Sequence, residues 1–149
     1  MGIREYVGRL GVLSEGRAGW AEGLTTADLD AIARRHAGRA VGSGHCVDFV
    51  RLVTDLPPTS HWRRGAHVLS APPAPGTAIA TFDEAGHYAN RTDGTSHAAI
   101  FVDLVDGGVL VWDQWRGRSV WSRIIRHRGG VGLPVDDGSQ YYCVEVGTG

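Results

Sequence analysis

The sequence predicts an α+β protein in which N-terminal helices, one of them led by a cysteine, pack on an antiparallel β-sheet. Three observations predict it. Apolar residues keep helical spacing only as far as Pro57-Pro58. Beyond Gly76 the apolar runs shorten to strand length and are separated by turn signals. The 22 glycines are scattered, with neither a collagen period nor a Gly/Ser tract, as in a loop-rich fold. With 149 residues, 42% of them hydrophobic, the chain has material for one domain, residues 1–149, and one real core.

In order along the chain, Thr25 or Thr26 caps a helix that carries Leu29, Ile32 and Ala33 on one face and runs to about Gly38. Val41-Gly42-Ser43-Gly44-His45 then leads into Cys46. A second helix from Cys46 to about Leu56 carries Val47, Val50 and Leu52–Val53, and the two prolines stop it. Strands are expected over residues 77–82, 97–102, 109–115, 120–125 and 141–146, with a turn at Asp106-Gly107-Gly108. Residues 86–94 and 129–138 read as surface loops. No internal repeat or domain boundary is evident.

Composition narrows the function. All fifteen cations are arginine, and the net charge of −1 offers no global field for nucleic acid. Two cysteines do not make a disulfide scaffold, and nothing supports a Cys46–Cys143 bridge. The N-terminus lacks the charged head and apolar core of a secretory signal, and its Met-Gly start lacks Ser or Thr at position 6. No apolar run approaches a membrane span, so no membrane insertion is expected. These features describe a chain made in the cytoplasm that needs dedicated machinery if it acts outside the cell.

The chemistry centres on Cys46. A helix start favours the thiolate, and Gly42 and Gly44 let the backbone turn tightly and a substrate carbonyl approach. The Cys46 N–H is then placed to donate to an oxyanion. Among seven histidines His97 is the candidate base, because it opens the strand Ala98-Ala99-Ile100-Phe101-Val102, whose alanines let a helix pack close. Asp113, a carboxylate inside the apolar strand Val111-Trp112-Asp113-Gln114-Trp115, needs a partner and is the candidate third member. His97 and Asp113 meet directly only if the hairpin is centred at residue 105, so a bulge must absorb the offset from the turn signal. Gln114, on the opposite face, is the reserve and also a candidate substrate contact. His36, His61, His67, His87 and His127 read as solvated.

Trp62, Tyr88 and Trp115 are candidates for a substrate groove, with the core an equal reading for each; Trp112 is a candidate for the core and Cys143 for a buried structural thiol. The stretch Arg116, Arg118, Arg123, Arg126 and Arg128 reads by default as a solvated basic face, with the alternative of holding substrate carboxylates. A serine nucleophile at Gly42-Ser43-Gly44 lacks the elbow spacing, and no zinc-binding spacing is present, so no metal or cofactor is expected.

The segment Val41–Val50 resembles the cysteine helix of CHAP and NlpC-type amidases. Four further blocks, residues 57–63, 76–82, 97–101 and 113–115, resemble in order the second family of type VI secretion amidase effectors. The matching blocks lie within residues 41–115, about half the chain. The resemblance implies a papain-like fold and a cysteine peptidase that hydrolyses peptidoglycan peptides as an antibacterial toxin. The implied bond is the diaminopimelate–D-alanine crosslink, and the implied site of action is the periplasm of a target bacterium. It also implies secretion machinery and a cognate immunity protein as partners. The matching catalytic positions are Cys46 and His97, with Asp113 third. Related sequences often carry Gln or Glu before the cysteine where this chain has His45, so an oxyanion role for that side chain either passes to an imidazole or is lost. The alternatives are a deamidase or acyltransferase toxin on the same fold, and a non-catalytic binding module.

Overall fold

A computed structural model describes residues 26–147. Two helices, α1 (Thr26–Arg34) and α2 (Cys46–Val53), precede β1 (Trp62–His67), β2 (Ala78–Ala80), β3 (Ala98–Val105), β4 (Gly108–Trp115), β5 (Arg118–Arg126) and β6 (Tyr142–Val146). The strands form one antiparallel sheet in the order β1-β6-β2-β3-β4-β5. The architecture is the expected α+β one.

Each face of the sheet buries a different set of side chains. Ala98, Ile100 and Trp112 face the helices and pack on Leu29 and Ala33 of α1 and on Phe49, Val50 and Val53 of α2. Ala99, Phe101 and Val111 face the other way, under Val68 and Tyr141. Burial on both faces explains why β3 and β4 read as nearly continuous apolar runs. It also corrects the packing of the alanines, since only Ala98 admits the helix layer.

Element ends differ from expectation for local reasons. Thr26 is the first helical residue of α1, and Thr25 lies outside the described residues. After Arg34 the chain continues as turns to Gly38. The second helix stops at Val53 rather than Leu56 because Thr54 turns extended and its hydroxyl donates to the Val50 carbonyl at 2.8 Å. Strand β1 was not expected, since in Trp-Arg-Arg-Gly-Ala-His only Trp62 is fully buried. Its place at the sheet edge removes the alternating apolar signal.

Both edges carry extra backbone bonds. On β5, Val120 donates to the Arg39 carbonyl and accepts from Gly38 N–H. On β1, Arg63 bridges His87, and Arg64 N–H donates to Gly86.

The β3–β4 hairpin contains the anticipated bulge. Val105 faces Gly108 and Asp103 faces Leu110, but beyond Val102 the register shifts so that Phe101 faces Val111 and Ile100 faces Trp112. This register carries Asp113 across from Ala99, one diagonal step from His97 on the same face. The direct pairing centred at residue 105 is not formed. Without the shift, pairing from the turn would set Asp113 opposite Ile100, on the helix side.

The expected 129–138 loop is shaped by Asp137. Its buried carboxylate accepts from the backbone N–H of Arg128, Gly130 and Ser139 and from the Ser139 hydroxyl.

Candidate active site

Cys46 is the first residue of α2, and His45 before it is extended. The approach is shaped by Gly42 and Gly44, both at positive φ (59° and 91°). Asp48 folds back over this turn and accepts from Ser43 N–H at 2.8 Å and from the Ser43 hydroxyl at 2.6 Å. A Cβ on Gly42 would lie 2.8 Å from Asp48 Oδ2, so glycine is required there.

Gln114 fixes the same turn to the sheet. Its amide accepts from Val41 N–H at 2.8 Å and donates to the carbonyls of Val41 and His45 at 2.9 and 2.8 Å. It is fully buried and lies outside the cleft. The expected substrate contact is therefore replaced by a clamp on the backbone that presents Cys46.

His97 donates from Nε2 to Asp113 Oδ2 at 2.7 Å, leaving Nδ1 to meet Cys46. Its own backbone is set by Thr81, whose hydroxyl accepts His97 N–H at 3.0 Å. Tyr88 brings its hydroxyl to 3.5 Å from Cys46 Sγ. Burial works against the Cys46 thiolate, but the hydrogen bonds and charge of His97, with bonds from Tyr88 and Ala98 N–H, outweigh it and lower the thiol pKa. Burial likewise opposes the His97 cation, but the bonds to Asp113 and Cys46 and their charges raise it to about 9. Tyr88 is held far above the ordinary phenol range by burial and by Cys46, so it remains a neutral donor.

Asp113 is fully buried with three cationic partners. Besides His97, Arg118 Nη1 reaches Oδ1 at 3.0 Å and Arg123 Nε reaches Oδ2 at 2.9 Å. Burial alone would raise its pKa; the His97 bond and charge and then Arg123 hold it below the usual carboxylate range. The two guanidinium carbons lie 4.6 and 4.7 Å from the Trp115 ring centroid, and that ring meets His97 edge-on at 6.1 Å.

These groups open on a cleft of about 410 Å³ lined by His45, Cys46, Tyr88, His97, Trp115, Arg116 and Arg123, with walls from residues 90–92, 94, 96 and 135–136. His45 lies on the rim, with Nε2 3.5 Å from Arg116 Nη1. Trp62 is not in this lining. It is fully buried, donates to the Pro57 carbonyl at 2.9 Å and packs behind Tyr88 at 5.1 Å between ring centroids. Trp112 is in the core, as expected, and donates to Asp30. Cys143 is buried in the second core, and no disulfide joins it to Cys46. His67 is tied to Ser70 and to the Ser139 carbonyl rather than simply solvated.

Sequence reasoning missed the inward turn of Arg118 and Arg123, which it assigned by default to a solvated face. The signal was present in Asp113, because a carboxylate buried in a strand calls for cations from the neighbouring strand.

The profile described as "Domesticated amidase effector 2" matches residues 25–144. The chain belongs to this family. Among its relatives is the domesticated amidase effector 2 of Ixodes scapularis, 40% identical over 90 residues, 59% of each chain. Another is the type VI secretion amidase effector 2 protein of Salmonella typhi, 38% identical over 78 residues, 51% of this chain and 57% of the relative. The chain thus spans less than three fifths of the length of these curated relatives. A solved structure titled type 6 secretion amidase effector 2 superposes with a TM-score of 0.63 at 30% identity, covering 72% of this chain and 86% of that one. The domesticated amidase effector 2 fold of this chain is therefore papain-like, with the cysteine helix laid against the sheet.

Proposed function

We propose that the chain is a cysteine amidase that hydrolyses peptidoglycan peptide crosslinks, and that it acts as an exported antibacterial effector. The observation that carries this reading is the relay from Cys46 through His97 to Asp113, polarised toward thiolate and imidazolium and open to a cleft. Membership of a family named for amidase effectors supports the reaction class.

In the mechanism, the Cys46 thiolate adds to the amide carbonyl. The oxyanion is met by the Cys46 N–H at the start of α2, while His45 lines the same side. His97 gives its proton to the leaving nitrogen as the C–N bond breaks, forming a thioester and a free amine. Water then adds to the thioester with His97 taking its proton, releasing the carboxylic acid and restoring the pair. Asp113 keeps Nε2 protonated and Nδ1 directed at sulfur.

The bond assigned to this site is the diaminopimelate–D-alanine crosslink, cut in the periplasm of a target bacterium. Delivery through a secretion apparatus and neutralisation in the producer by an immunity protein belong to the same reading. Purified peptidoglycan treated with the protein should lose crosslinked muropeptides by mass spectrometry, whereas Cys46→Ala should fold normally and leave them intact. Intact muropeptides together with deamidated protein glutamines would replace this reading with the deamidase one.

A further inference from the structure

We infer that Arg123 anchors a free carboxylate on the residue that supplies the leaving amine, so that the preferred bond is an amide whose nitrogen sits on a carboxylate-bearing carbon. The inference rests on the amidase reading of the same site and specifies its substrate.

Asp113 Oδ2 is shared by His97 Nε2 at 2.7 Å and Arg123 Nε at 2.9 Å, which sets guanidinium and imidazole side by side on one oxygen. Because Arg123 engages Asp113 through Nε, its two terminal amino groups are left as a fork suited to a second carboxylate. The Trp115 ring, with its centroid 4.7 Å from the guanidinium carbon, packs against that fork and restrains it. Arg118 binds the same Asp113 but does not line the cleft, whereas Arg123 does.

Charge points the same way. With Cys46 as thiolate and His97 as imidazolium, the two arginines leave this cluster one positive charge in excess over Cys46 and Asp113. Arg91 and Arg116 also line the cleft, against a single acid, Asp136. An anionic substrate neutralises this excess. The side of the bond follows from the proton. His97 delivers it to the leaving nitrogen, so the guanidinium beside His97 faces the leaving half of the substrate.

The test uses the full chain and two crosslinked muropeptides that differ only in a carboxylate or carboxamide on the leaving-side residue. The wild type is expected to favour the carboxylate by roughly 10- to 100-fold in kcat/KM. Arg123→Gln should cut both slowly and lose the preference, while Arg118→Gln should slow both and keep it. Arg123→Lys, which retains the charge without the fork, should show a smaller preference than wild type. Equal cleavage of both substrates by the wild type overturns this inference alone, as does a wild-type preference in Arg123→Gln or Arg123→Lys. Failure of the wild type to cut either overturns the amidase reading and this inference with it.

Discussion

Asp113 and Gln114 are consecutive residues of β4 whose side chains leave opposite faces of the sheet, one holding His97 and the other the turn before Cys46. One strand thereby sets the distance between the proposed base and the proposed nucleophile.

Gln114→Leu should separate the two halves. It leaves Val41 N–H without its acceptor and takes one of two donors from the carbonyls of Val41 and His45, which keep Gly44 N–H and Asp48 N–H, at a cost of about 1–3 kcal/mol in urea unfolding. Turnover should fall roughly 10- to 100-fold as the thiol loses its placement. Unchanged alkylation of Cys46 in this variant would show that the clamp does not position the sulfur.

Asp113→Asn should lower turnover by about 10²- to 10⁴-fold with the fold retained. The pH profile carries the sharper signature. Activity requires His97 protonated and Cys46 ionised, so the wild-type rate should decline as pH rises through about 9. Loss of Asp113 removes a group that raises the His97 pKa, so this alkaline limb should move to lower pH.

Tyr88→Phe removes a neutral donor from Cys46 Sγ. The thiol pKa should rise, so alkylation near pH 6 should slow about 3- to 10-fold and recover at higher pH. Measuring iodoacetamide labelling across pH checks this, and an unshifted profile would leave His97 and Ala98 as sufficient.

Asp137 has its pKa lowered to about 2: burial would raise it, but the Ser139 hydroxyl and three backbone N–H groups outweigh that effect. A depressed carboxylate contributes stability that is full above its unfolded pKa of about 3.9 and is lost as pH falls through about 2. Thermal melts should therefore drop between about pH 4 and 2. Asp137→Asn should be destabilised by about 2 kcal/mol at neutral pH and show a flatter acid response.

The helix led by Cys46, five of the six strands and the requirement for a bulge could be read from periodicity and turn chemistry. The strand β1 could not, because an edge strand with one buried residue has no pattern to detect. Gln114 was misread, and Trp62 was left open between groove and core, because sequence shows residue type but not the direction of a polar group. Gln114 spends its amide on backbone, and Trp62 spends its N–H on Pro57. The partners Arg118 and Arg123 depend on the β4–β5 register, which sets Asp113 across from Trp121. That register is a tertiary property.

The backbone bonds laid across β1 and β5 have a consequence for how the protein behaves in quantity. Neither outer strand offers an uninterrupted ladder of donors and acceptors, because Gly38 and Arg39 occupy Val120 near the start of one and the Gly86–His87 turn occupies part of the other. Strand-by-strand growth into fibrils starts from such a ladder. Two short loop segments thus limit the stretch of open edge from which the protein could template its own aggregation.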